Sequence, residues 1–183
     1  MKKRLFIALN SPPIVQSNIY EIEEEWRRRL GDEVRWVAPN LTHITIHFLG
    51  DVEEGREADI LKIMRQSLDD LTPFVFALQN LGAFPGLSHA RTVVVHVTEI
   101  EGHPLQILHK RLANKLRVQG FVIDDRTFMP HLTLGRLRRP SRVTTAWYKH
   151  RPITWSAWEV HLMESLLSPD GAQYKTIATA HLS

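Results

Sequence analysis

Residues 43–46 read His43-Ile44-Thr45-Ile46, and 88 residues later the chain reads His131-Leu132-Thr133-Leu134. Successive side chains of a β-strand point to opposite faces, so residues two apart share a face. His43 and Thr45 therefore stand on one side of a strand with Ile44 and Ile46 on the other, and the second stretch repeats the arrangement. Two aliphatic residues anchor each strand in a core while an imidazole and a hydroxyl face outward. A lone histidine on a strand is usually structural. Packing alone, however, has no need of a histidine and a threonine at the same offset twice. Two imidazoles can supply one proton donor and one acceptor, and two hydroxyls can donate to charged oxygens.

Outward from these strands the chain alternates between strand and helix. Residues 4–9 are strand-like, and Ser11-Pro12 offers an N-cap with proline at the first helical position. Val15, Ile19, Ile22, Trp26 and Leu30 recur at helical spacing, and Gly31 is the stop. Glu23 to Glu25 precede Arg27 to Arg29 on a solvated outer face. A short strand over 34–37 and a turn at Pro39-Asn40 lead into the first motif strand, 42–49. A helix follows over 54–68, with Ala58, Leu61, Leu68 and either Met64 or Ile60 facing inward.

Residues 74–81 are extended, 82–87 form a loop, and 91–97 are a strand of nearly continuous β-branched residues. The clearest helix is opened by Gly102-His103-Pro104, carries the stripe Leu105, Leu108, Leu112 and Leu116, and ends at Gly120. The second motif strand spans 130–137, and a basic, partly helical segment runs to His150. Last strands over 153–165 and 174–181 flank the turn Ser168-Pro169-Asp170-Gly171. Strand, helix, motif strand thus occurs twice. The class this predicts is α+β: two pseudo-symmetric lobes, each with an antiparallel sheet and helices, turning both His-Thr faces into one central cleft.

Composition narrows the chemistry. The 183 residues are 43% hydrophobic, enough for one large domain or two intimately packed lobes. A formal charge of +3 does not by itself demand nucleic acid. The absence of cysteine removes disulfides, a thiolate nucleophile and a cysteine zinc site, and suits a reducing cytosol. The basic-then-apolar start is too short for a signal peptide, since Asn10 and Pro12-Pro13 follow at once, and no stretch reaches transmembrane length.

Two such histidine strands in this surrounding text resemble the 2H phosphoesterases. The likeness is strongest to the bacterial and archaeal RNA 2′,3′-cyclic phosphodiesterases, historically called 2′-5′ RNA ligases. It covers nearly the whole chain: Arg4-Leu5-Phe6-Ile7-Ala8, Arg35-Trp36-Val37, Asn40, Phe48-Leu49-Gly50, Leu81-Gly82-Ala83-Phe84-Pro85, Phe128, Pro130-His131 and Glu164-Ser165 through Asp170-Gly171. Thr42 stands where leucine is common and Gly135 where alanine is common; neither is a proton-transfer group. The resemblance implies a single bilobal domain over residues 1–183 that opens RNA 2′,3′-cyclic phosphate ends to 2′-phosphates. It implies no metal and no other cofactor, and reverse 2′-5′ ligation when an RNA 5′-hydroxyl replaces water. His43 takes the part of proton donor and His131 of proton acceptor, while Thr45 and Thr133 donate to phosphate oxygens. The expected partner is RNA with a cyclic phosphate end, with no membrane partner, and the expected state is a cytoplasmic monomer.

The family also places an arginine, here Arg136, just after the second motif. Strand parity turns Arg136 away from His131 and Thr133 unless the strand bulges at Gly135, where a bulge costs little. By the same parity His47 shares the face of His43 as a rim or exposed residue, and Phe48 falls in the core. Arg138, Arg139, Arg142, Lys149, His150 and Arg151, interleaved with Trp147 and Tyr148, form an acid-free run. That run is either a solvated surface or a seat for a single-stranded RNA end. Two rival readings are a metal-dependent hydrolase using His43, His47 and His131, and a non-catalytic RNA-binding module. The first is disfavoured because no acidic residue adjoins the motifs.

Overall fold

The computed structural model describes residues 1–148, 153–168 and 171–182. In chain order its elements are β1 (Lys2–Asn10), α1 (Pro13–Leu30), β2 (Val34–Trp36), β3 (His43–Glu53), α2 (Glu57–Leu68) and β4 (Phe74–Phe84). They continue as β5 (Ala90–Glu99), α3 (Pro104–Val118), β6 (His131–Ser141), β7 (Thr154–Ala157), β8 (Glu159–Ser168) and β9 (Gly171–His181). The nine strands of the described residues belong to one antiparallel sheet in the order β7-β4-β5-β6-β3-β1-β8-β9, with β2 beside β6.

The motif strands β3 and β6 lie at the centre of this sheet and are joined by a single residue pair, Ile44 with Leu132. Outward from β3 come β1, β8 and β9; outward from β6 come β5, β4 and β7. The fold is the expected α+β with two related lobes, and the lobes are halves of one continuous sheet. Ile44, Ile46, Leu132 and Leu134 are buried in a common core that runs beneath both halves. The α3 leucines 105, 108, 112 and 116 are buried in the same core, each contributing about 1.5–3 kcal/mol of transfer free energy. α2 packs against α3, β8 and β9, α3 reaches β3, and α1 lies against β2.

Several local expectations are corrected. α1 starts one residue later than read, with Pro12 as N-cap and Pro13 at the first helical position. Ser11 caps nothing there, because its hydroxyl is engaged by Thr42. In α2, Ala58 is exposed; the inward face is Ile60, Ile63, Met64, Ser67 and Leu68. β4 continues through Gly82 and Ala83 to Phe84, absorbing half of the expected loop. The basic segment is not helical over its described part: β6 continues to Ser141, and a turn follows at Ala146-Trp147. The strand read over 153–165 is two strands on opposite sides of the sheet, β7 pairing with β4 and β8 with β1. Of the turn at 168–171, Pro169 and Asp170 lie outside the described residues, as do Lys149, His150 and Arg151.

Candidate active site

Because β3 and β6 run antiparallel through the Ile44–Leu132 pair, the residues on either side of that pair also face one another. His43 sits across from Thr133, and Thr45 across from His131, with both imidazoles on one diagonal. Diagonal cross-strand neighbours lie about 7–8 Å apart, a span that one phosphate can bridge.

Both histidines are fixed in the same way. His43 donates Nδ1–H to the Leu41 carbonyl at 2.8 Å, and His131 donates Nδ1–H to the Met129 carbonyl at 2.7 Å. A carbonyl can only accept, so each neutral ring is held as the Nδ1–H tautomer and turns an unprotonated Nε2 to the cleft. The turn before His43 is itself tied down. Thr42 Oγ1 donates to the Pro39 carbonyl at 2.7 Å, and the buried Ser11 hydroxyl at the end of β1 bonds the Thr42 carbonyl at 2.8 Å. Aromatic rings wall the imidazoles: Phe6 and Tyr174 each lie 5.0 Å from His43, and Phe84 lies 4.9 Å from His131.

Burial lowers the pKa of both histidines, opposed by their backbone hydrogen bonds. Their remaining neighbours differ. His43 is lowered further by His131, whereas His131 is lowered by His96 and Arg136. His96 is the cross-strand partner of His131 on β5 and lies against Gly82, where a Cβ would come 2.2 Å from its Nε2.

Bulges decide which later residues join the site. On β6, Val94 pairs with Thr133 but Val93 pairs with Gly135, so Leu134 is an extra residue. The parity after Thr133 is thereby reversed, and Arg136 comes to the cleft side, close enough to lower the pKa of His131 and to oppose the burial that raises Tyr174. A Cβ on residue 135 would lie 2.5 Å from Val34 Cγ1, so the glycine lets β2 close against the bulge. β3 bulges at the equivalent place: Ala8 pairs with Thr45 and Ile7 with His47, leaving Ile46 extra. His47 and Phe48 therefore exchange the places that parity gave them. His47 is buried and donates Nε2–H to the His109 carbonyl at 2.8 Å. Phe48 is 54% exposed, with its ring 5.7 Å from that of Phe6.

The site thus brings together His43, Thr45, His131, Thr133 and Arg136, the five residues singled out in the sequence, and adds Phe6, Phe48, Phe84, His96 and Tyr174. Trp147 and Tyr148 are turned the other way, against the core, where the Trp147 ring meets Trp26 at 5.8 Å and Arg29 stacks over it at 4.6 Å. Among the described residues no three His, Asp or Glu side chains converge in a metal-ligating group.

A sequence model of the 2′-5′ RNA ligase superfamily matches residues 15–168. The chain belongs to that superfamily. A protein of Archaeoglobus fulgidus named RNA 2′,3′-cyclic phosphodiesterase is 33% identical over 180 residues, 95% of this chain and 97% of that protein. One of the same name from Methanocaldococcus jannaschii is 27% identical over 181 residues, 95% and 98% of the two chains. Among solved structures, TT0787 of Thermus thermophilus superposes with a TM-score of 0.79 at 24% identity, covering 98% of this chain and 97% of that one. Escherichia coli LigT complexed with 3′-AMP gives 0.75 at 23% identity, covering 100% and 99%. These two likenesses establish the fold. No helix among the described residues is long and apolar enough to cross a membrane.

Proposed function

We propose that this chain, acting as one bilobal domain, opens RNA 2′,3′-cyclic phosphate ends to 2′-phosphates by acid–base catalysis between His43 and His131. The observation that carries the reading is the pair of carbonyl-anchored imidazoles presenting Nε2 to one cleft from adjoining strands. Water attacks phosphorus in line with the leaving 3′-oxygen. His131 Nε2 takes the proton from water as the P–O bond forms, and His43 Nε2–H gives its proton to the 3′-oxygen as that bond breaks. The Thr45 and Thr133 hydroxyls and the Arg136 guanidinium donate to the non-bridging oxygens, where charge concentrates. When an RNA 5′-hydroxyl takes the place of water as the nucleophile, the same ring opening leaves a 2′-5′ linkage.

The assignment of roles follows the family likeness. Such a pair works with one proton between its two members. Burial lowers both imidazoles, and the charges that act on them differ: His96 and Arg136 act on His131, and His131 acts on His43. The names of the relatives support the substrate class.

The test is incubation with RNA ending in a 2′,3′-cyclic phosphate and identification of the product. A 2′-phosphate is expected, with a bell-shaped pH dependence. His43→Ala and His131→Ala should each cost on the order of 10²-fold or more. The double variant should lose less than the product of the two, because the pair acts as a unit. With a nitrophenolate leaving group, which needs no proton, His43→Ala should regain activity and His131→Ala should not. The reverse pattern would exchange the roles; full activity of either variant on the natural substrate would remove the mechanism.

A further inference from the structure

The paired bulges put positions 48 and 136 at equivalent places in the two halves of the cleft, and the residues there have diverged. In one half the row across the strands is Phe6 with Phe48. In the other it is Thr92 with Arg136, and the register adds a further strand, because Arg35 of β2 pairs directly with Arg136. The neighbouring pair, Val34 with Leu137, lies against the core, so Arg35 and Arg136 project from the opposite, cleft-side face, where both are exposed.

Like charges directly opposed across a strand pair are destabilising. Arg27, Arg28, Arg29, Arg56, Arg117 and Arg126 are ion-paired with carboxylates. Among the described residues neither Arg35 nor Arg136 has an acidic partner. Two adjoining guanidiniums without a counter-charge, with the Thr92 hydroxyl at the end of the row, make a site complementary to an anion. It opens directly from the phosphate site of the cleft but lies one cleft-facing position along β6 from Thr133, roughly 7 Å. Arg35 is one strand further out again.

We infer that Arg35, with Thr92 and Arg136, forms a second anion subsite, which holds an internal phosphodiester of the RNA whose cyclic end is being opened. Arg136 stands between the two phosphates, and Arg35 belongs to the outer one. This rests on the RNA cyclic-phosphate reading above, and it makes the enzyme prefer an RNA end over a mononucleotide.

The experiment compares a nucleoside 2′,3′-cyclic phosphate, which has no other phosphate, with a trinucleotide ending in the same cyclic nucleotide. For the protein as it stands, kcat/KM should be higher for the trinucleotide and should fall more steeply with salt. Arg35→Gln should lower trinucleotide kcat/KM on the order of tenfold at low salt, the scale of one charge-assisted contact, and much less for the mononucleotide. The slope of log kcat/KM against log salt should flatten by about 0.7, one counterion-releasing contact to a single strand. Arg35→Lys keeps the charge and should keep the slope while losing part of the affinity, because the bidentate fork is gone. A structural role alone would depress both substrates equally and leave their ratio intact. An unchanged ratio and slope in Arg35→Gln would overturn the inference. Failure of the protein to turn over either substrate would instead count against the cyclic-phosphate reading. In that event, fluorescence anisotropy with a labelled trinucleotide ending in a 2′-phosphate still tests the subsite, and equal affinity of the parent protein and Arg35→Gln would refute it.

Discussion

Acid should weaken this fold through a stack of rings beneath the first motif. His47 and His109 stack at 4.2 Å with 20° between their planes, and Phe128 lies under His109 at 4.3 Å and 4°. Burial first, then the charges of His47, Arg117 and Lys110, push the His109 imidazole down to about 4 from an ordinary 6.5. Burial also lowers His47, which faces Arg117 and Asp124. In the unfolded chain His109 takes up its proton near its ordinary value. Between there and about 4 the unfolded state therefore binds more protons, and stability falls as pH falls through that window while staying level above it. The whole window is worth about 3 kcal/mol by the pKa difference alone, and about 1–2 kcal/mol after solvent screening of a partly exposed ring. His109→Phe keeps a flat ring between His47 and Phe128 and removes the titration. Urea melts of both proteins at pH 7.5 and pH 5 read the effect. The variant should lose about 1 kcal/mol less between the two conditions, or about 2–4 °C in Tm. His43, His96, His131 and His161 are also lowered by burial, but their contributions cancel in the difference. Equal losses in the two proteins would refute the assignment to His109.

Two further outcomes follow from the bulges. Phe48 presents an exposed ring beside Phe6, which in turn lies against His43, and stacking of a base on such a ring is worth about 1–3 kcal/mol. Phe48→Ala should raise KM for a cyclic nucleotide by roughly fivefold or more with kcat held; an equal loss on a nitrophenyl diester without a base would argue against stacking. Gly135→Val places a Cβ 2.5 Å from Val34 Cγ1 and 3.1 Å from the Arg35 carbonyl oxygen, forcing β2 away from β6. It should cost about 1–3 kcal/mol in a denaturant melt, typical of overpacking, and an unmoved midpoint would show that β2 is not seated on that glycine.

The parts of the site legible in the sequence were those governed by regular alternation. His43 and Thr45, and His131 and Thr133, precede any bulge in their strands, so counting by twos puts each pair on one face. The same count failed at His47 and Phe48, because Ile46 is inserted into β3 without a glycine to announce it. At Arg136 a glycine prompted the right suspicion. Residues brought in from other strands had no local signal. Phe6 reads as one apolar position in a buried strand, and Tyr174 and His96 acquire meaning only from the register that sets them beside the motif histidines. The division of residues 153–165 between β7 and β8 was likewise invisible, since both halves are extended and only the pairing partners differ.

Yet the duplication held the missing information. Phe48 and Arg136 stand five residues after their own motif histidines. If the two halves share a backbone, these positions must share a face, whatever parity says within either strand alone. A bulge allowed at Gly135 should then have been allowed at His47 too, with Phe48 brought to the cleft along with Arg136. The symmetry of the backbone carries the paired motif histidines, and its breach by side chains a few residues later gives the cleft unlike ends. Aromatic rings flank His43, and cationic groups flank His131. A symmetric pair of imidazoles cannot by itself tell donor from acceptor. The proposed roles therefore rest on what differs around the pair: aromatic rings beside His43, and His96 and Arg136 beside His131.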